Sequence, residues 1–209
     1  MPRGILAGFG KVINGYPHGG SPMRNCMRVL CVLTLTALAA GPVLAASAPK
    51  ASSAKMTANP VVSSAKMFYQ RDAKNMIAAA EEMPANKYSY HPTAGQWTFG
   101  KLVSHIAQSN GLMCGALSGM HAPVAVNVSP TASKSDLVAG LKASFGFCNT
   151  ALNSVTDAKL GSSVTMFHHQ MPRAGALISL TSDLADHYSQ MAGYLRLNGM
   201  LPPSAQHKM

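Results

Sequence analysis

The feature that most constrains this chain is an apolar stripe between residues 134 and 155. Leu137, Leu141, Phe145, Cys148, Leu152 and Val155 recur at intervals of three or four. That spacing puts all six on one face of an α-helix and scatters them over both faces of a strand. Ser133 stands just ahead of the stripe, with Asp136 three residues on, the spacing of a capping box. A helix with such a face must bury it against another element. Three further segments offer partners. From about residue 63 to 83, Tyr69, Ala73, Met76, Ala80 and Met83 share a face, and Pro84 stops the helix. From Phe99, with Thr98 as N-cap, the stripe is Leu102, Ile106 and Met113. From Arg173 to about Asn198 it is Leu177, Leu180, Leu184, Met191 and Leu195; Gly199 suits the position just past a helix, and Pro202-Pro203 forbid continuation. Between these helices no segment has strand alternation, and residues 166–170 are too few to count as a strand. An all-α four-helix bundle is the economical answer.

The connection between helices two and three, residues 119–132, is longer than an antiparallel hairpin needs. A connection of that length can cross the bundle and leave helices two and three parallel. Cys114 and Cys148 fall at similar depths in those helices, so only a parallel pair brings them to one height, where a bridge is geometrically allowed. The residues equally admit two buried free thiols, since cysteine is among the most buried side chains.

Composition matters most at the N-terminus. Arg24 and Arg28 precede an apolar run, residues 29–40, interrupted only by Thr34 and Thr36. Gly41-Pro42 breaks it, and small residues follow where a signal peptidase reads. The pattern is a secretory signal with cleavage after Ala45 or Ala46. The run falls short of the roughly 20 residues that span a bilayer. Residues 1–22 precede Met23 and Met27, either of which suits an initiator, so the upstream stretch is expected not to be made. The expected organisation is a signal region over 1–45, a flexible Ala/Ser/Lys-rich linker over 46–62, a bundle over 63–203 and a tail over 204–209. The protein is then exported, periplasmic or secreted, with no stable membrane span after processing. In that oxidising compartment an even cysteine count favours a Cys114–Cys148 disulfide.

The chain is 47% hydrophobic and 11% charged, against roughly 25% charged for an average globular chain, so it can fill a core. Its net charge of +10 falls to +6 once Arg3, Lys11, Arg24 and Arg28 leave, because no acid precedes the cleavage site. The remaining lysines are scattered, without a basic run or nucleic-acid motif, which argues against a nucleic-acid partner. Ser-nucleophile, phosphate-loop and dinucleotide motifs are also missing.

Three polar residues occupy inward positions. His105 lies beside Ile106 at the edge of helix two's inner face. Asp183 and His187 stack one turn apart on helix four. Burying a carboxylate and two imidazoles is costly unless they are paired or ligated. Two His and a carboxylate suit a divalent transition metal with open positions; an Asp–His hydrogen bond without metal is the plainer alternative.

The run Tyr90-His91-Pro92-Thr93-Ala94-Gly95-Gln96-Trp97-Thr98-Phe99-Gly100-Lys101-Leu102-Val103-Ser104-His105-Ile106 resembles the entry to helix two in DinB-like proteins. Asp186-His187-Tyr188-Ser189-Gln190-Met191-Ala192-Gly193-Tyr194-Leu195-Arg196 resembles their last-helix signature. The resemblance covers about residues 64–203 and implies a four-helix bundle with a crossover between helices two and three. It also implies a divalent metal (zinc, nickel, iron or manganese) held by three His, one on helix two and a His-x-x-x-His pair on the last helix. His105 matches the first and His187 the last; the middle position is Asp183, a departure, and Asp186 stands where a further His is common. Relatives of this kind resemble metal-dependent hydrolases and transferases that use low-molecular-weight thiols; export argues against the latter.

If the chain is an enzyme, its metal would polarise a substrate or lower the pKa of a bound water toward about 7. Gln190, one turn after His187, would orient a ligand or substrate, the plainer alternative being an ordinary helix-surface residue. Tyr194 and Arg196 read as structural, His168-His169 as a loop pair near the bundle's mouth, and His207 as a tail residue. Two readings stand: an exported DinB-like metalloprotein, a hydrolase of an unknown small molecule, and a non-catalytic bundle that has lost its metal. The oligomeric state stays open, a homodimer included.

Overall fold

The computed structural model describes residues 58–206. The expected signal region, its cleavage site, the alternative starts, linker residues 46–57 and His207 lie outside the described residues. Within them the chain is an all-α bundle of α1 (Pro60–Glu82), α2 (Phe99–Ser118), α3 (Lys134–Asn153) and α4 (Arg173–Leu197), with a short hairpin, β1 (Ser163–Met166) and β2 (His169–Pro172), between α3 and α4.

Local chemistry sets most boundaries. Thr98 Oγ1 accepts the Lys101 amide at 3.1 Å and opens α2. Ser133 Oγ accepts the Asp136 amide at 3.2 Å, the N-cap half of the box anticipated for α3, and its hydroxyl donates to the Asp136 carboxylate at 2.6 Å. α4 ends where Gly199 takes φ +75°, letting the Met200 amide return to the Leu195 carbonyl at 3.0 Å.

α1 starts at Pro60, so the last three residues expected in the linker form its first turn. The cause is distant in sequence. The Asp157 carboxylate accepts the amides of Val61 and Val62, both at 2.9 Å, at the positive end of the helix. Proline at N1 loses nothing, because its missing N–H would have had no partner within the helix.

α2 and α3 are parallel. Asn110 Nδ2 donates to Ser144 Oγ at 3.0 Å, and four residues further along both helices Cys114 and Cys148 form a disulfide, Cα to Cα 5.2 Å. The crossover that allows this lies against both helices. Ser104 Oγ donates to the Val128 carbonyl at 2.7 Å. A Cβ at Gly111 would stand 2.9 Å from Val126, and one at Gly140 would stand 2.9 Å from Val128 and 3.0 Å from the Ala125 carbonyl. Glycine is what lets the crossover approach so closely. α1 runs antiparallel to α3: its start meets Asp157, while Glu81 near its end pairs with Lys142 at 2.6 Å. α4 runs antiparallel to α2, with the Arg173 guanidinium on the Leu117 carbonyl at one end and Tyr194 Oη donating to the Trp97 carbonyl at 2.6 Å at the other. The inward stripes meet in one core, with Met76, Leu102, Ile106, Met113, Leu137, Leu141 and Leu180 fully buried.

The hairpin corrects the expectation of no strand. Ser163 pairs with Pro172 and Met166 with His169, so the turn is Phe167-His168, with φ of +51° and +64°. Val164 and Met166 bury alternate side chains against the bundle. Four residues are too few for alternation to stand out. The turn also lacks the Asn-Gly or Asp-Gly pair that usually supplies two positive φ angles.

Candidate functional site

The antiparallel packing of α2 and α4 brings the N-terminal half of one to the C-terminal half of the other, and there His105, Asp183 and His187 meet. The two imidazole rings are 5.0 Å apart, centre to centre, at 85° to one another. His187 Nε2 lies 3.4 Å from Asp183 Oδ1. That exceeds the roughly 2.7–3.2 Å of a sound N–H···O bond. His187 is only 7% exposed, yet neither of its ring nitrogens has a hydrogen-bond partner among the described residues.

His105 is half-buried and better supplied. Ser109 Oγ sits 3.2 Å from its Nε2. Burial pushes the His105 imidazole below its ordinary pKa; the neighbouring His187 and Lys101 push the same way, and Asp183 opposes them. The neutral ring so favoured is the form that ligates a cation.

The indole of Trp97, a residue sequence reasoning passed over, meets the outer side of this pair. Its ring lies 4.8 Å from His105, edge to face, and carries the Lys101 ammonium 4.7 Å above it. Tyr194 is buried, and its hydroxyl donates to the Trp97 carbonyl, tying the loop before α2 to α4. Trp97 is the chain's sole tryptophan and directly precedes a helix cap. Those were the signals available, but neither reveals that it reaches His105.

Beside His187 opens a groove of about 660 Å³, walled by Pro92, Gln96 and Trp97 from the loop before α2 and by His187, Gln190 and Tyr194 from α4; His105 and Asp183 are not among its lining residues. Gln190 stands in that wall, its amide donating to Asp186 Oδ2 at 2.7 Å. Asp186 is exposed, as is Arg196. His168 and His169 are exposed at the hairpin tip and do not line the groove.

The donor set fits a metal in part. Among the described residues, no three His, Cys, Asp or Glu side chains are already drawn into a metal-holding group. Of the candidate ligands, the His105 and His187 rings lie 5.0 Å apart, centre to centre, and Ser109 Oγ sits 3.2 Å from His105 Nε2. The orphaned nitrogens of His187 are what call for a ligand, since a buried polar group without a partner costs about 1–3 kcal/mol.

Comparison with known proteins follows the same lines. The family model of the DinB superfamily matches residues 69–191, more than half the chain. No curated protein matches it. A DinB-like protein from Bacillus cereus is similar in structure, with a TM-score of 0.59 at 18% identity over 71% of this chain and 98% of that one. A DinB-like protein from Bacillus subtilis gives 0.56 at 20% identity over 72% and 100%. A conserved protein from Enterococcus faecalis gives 0.55 at 17% identity over 66% and 96%. At these identities the structures speak for the fold.

Proposed function

Because this chain belongs to the DinB superfamily, we propose that it is an exported member that binds a divalent transition metal and acts as a metal-dependent hydrolase on a small molecule. The metal would be zinc, nickel, iron or manganese, with His105 and His187 contributing nitrogens and Asp183 an oxygen. The observation that carries this reading is His187, buried with both ring nitrogens unpaired and standing 5.0 Å from the His105 ring. When bound, such an ion supplies Lewis-acid polarisation of a substrate oxygen. The chain's own residues do the rest. Burial disfavours the charged form of the His105 imidazole. Trp97 packs against the His105 ring, and the groove beside His187 would admit the substrate. Export is supported by the Cys114–Cys148 bridge, and among the described residues no helix is long and apolar enough to cross a membrane.

A second reading, an inert binding module, draws support from the Ser109 hydroxyl on His105 and the carboxylate of Asp183 near His187. Elemental analysis of the purified mature protein, with fluorescence of the sole tryptophan and thermal stability followed as each metal is added, separates the two. Metal bound one per chain, a change in Trp97 emission and a raised Tm are expected. No response to zinc, nickel, manganese or iron gives the decision to the inert bundle.

A further inference from the structure

The groove beside His187 has a chemical character of its own. Its volume, about 660 Å³, sits within the roughly 300–1,000 Å³ of small-molecule sites. No Asp, Glu, Lys or Arg is among its lining residues, and the two charges nearest them are already engaged, the Lys101 ammonium over the Trp97 ring and the Asp186 carboxylate on the Gln190 amide. What it offers is an indole, amides and open space. Trp97 is 37% exposed, a flat apolar surface on the groove. The Gln190 amide nitrogen is committed to Asp186, which leaves its oxygen as an acceptor. The Gln96 oxygen accepts the Thr93 hydroxyl at 3.2 Å, which leaves its NH₂ as a donor. Gly95 and Gly193 have nothing within 4 Å of where a Cβ would stand. His187, more than nine-tenths buried and unpartnered, closes one wall.

We infer that this groove is a binding site for a neutral pyranose sugar unit, packed by its C–H face on Trp97 with its hydroxyls between Gln96 and Gln190. A hydroxyl both donates and accepts, so it answers the Gln190 oxygen and the Gln96 amide alike. A charged ligand would lose hydration and find no unengaged counter-ion among the lining residues. A planar heteroaromatic could stack on the indole but would leave part of the amide pair unmatched. The inference deepens the proposed function by naming a substrate class, and it shares His187 with that reading, but sugar binding itself needs no ion.

Emission from Trp97 reports the groove directly, because no other tryptophan is present. The intact protein is titrated with methyl glucoside, N-acetylglucosamine and maltose, with nicotinamide, and with glucuronate and glucose 6-phosphate, first with chelator and then with nickel. Saturable changes with at least one neutral sugar are expected, at dissociation constants of about 0.1–1 mM, together with weaker or no response to the others. Gln190→Leu should weaken that binding about tenfold, the scale set by one lost hydrogen bond. Gly193→Leu should abolish it by filling the groove, with helix content and Tm held. Silence toward every neutral sugar, a preference for nicotinamide or the anions, or binding undisturbed by Gly193→Leu overturns the inference. Sugar binding without any nickel response would leave it standing while the metal reading falls, and a nickel response alone would do the reverse.

Discussion

α2 has two working sides, and they are built on opposite terms. Toward α3 it is locked: a disulfide, the Asn110–Ser144 hydrogen bond and glycines at 111 and 140 let two helices and the crossover close tightly. Toward the far half of α4 it is loose: an imidazole pair without complete hydrogen bonding opens beside a groove. The contrast places rigidity directly behind the site. The locked side leaves one buried acceptor, Asn110 Oδ1, without a partner, against both ring nitrogens of His187 on the loose side. A side meant to receive a ligand must leave some unsatisfied until the ligand arrives.

The sharpest way to break this comparison is to unlock the rigid side. Replacing Cys114 and Cys148 together with alanine should cost about 3–4 kcal/mol in the chain-entropy account for a loop closed across 34 positions. Urea denaturation of the double variant against the oxidised parent measures it. The nickel response of Trp97 should persist under native conditions. If it vanished with the stability, the two sides would not be separable. Gly140→Ala tests the same side more gently. Its Cβ would meet Val128 at 2.9 Å and the Ala125 carbonyl at 3.0 Å. A backbone oxygen yields less easily than a side chain, so about 1–3 kcal/mol should be lost, seen as a lower urea midpoint with an unchanged slope.

The two sides also differ in how much of them a reader of the sequence can see. The stripe from Leu137 to Leu152 and the caps at Thr98, Ser133 and Gly199 are local, and each stands where its spacing places it; Val155 is buried as expected but lies past the end of α3. The parallel α2–α3 pair was legible because a long connection and two cysteines at equal depth point the same way. The start of α1 was not, because its cap is Asp157, 95 and 96 positions away from the amides it receives. The hairpin was not, because it turns on Phe167-His168 without the usual glycine. At the site, inward spacing singled out His105, Asp183 and His187, and the structure brings them near one another. Trp97 and the orphaned nitrogens of His187 come from through-space packing, which no spacing encodes.

A third experiment sharpens the comparison by reversing its sign. His187→Leu removes a buried imidazole whose nitrogens lack partners and puts an apolar side chain in its place. Without metal, the variant should be as stable as the parent or up to about 1–2 kcal/mol more stable, since an unsatisfied buried polar group is lost. With metal, the parent should gain stability and the variant none. Asp183→His should keep or strengthen metal binding, since it restores the commoner ligand of the family. Thermal melts with and without nickel read both outcomes. A metal-free His187→Leu protein several kcal/mol weaker than the parent would mean that the ring is a structural member, and the loose side would be as fully built as the locked one.

The smallest effect expected is on pH dependence. The His105 pKa lies below its ordinary value of about 6.5, through burial first, then the neighbouring imidazole of His187 and the ammonium of Lys101, against the carboxylate of Asp183. The unfolded chain therefore binds this proton more readily than the folded one. Stability from keeping His105 neutral is complete above about pH 6.5 and is lost as pH falls below that value toward the depressed native pKa. Metal-free protein should thus show a shallow decline in Tm on acidification through that window, and His105→Gln should flatten it, because the amide does not titrate. Metal should steepen the same decline, since protons compete with the ion for the ring. On the locked side Cys114 and Cys148 are bridged and do not titrate. The slope should therefore survive replacement of both cysteines even as the whole curve drops. A slope that disappears with the disulfide, or persists in His105→Gln, would place the acid sensitivity elsewhere and remove the loose side's claim to it.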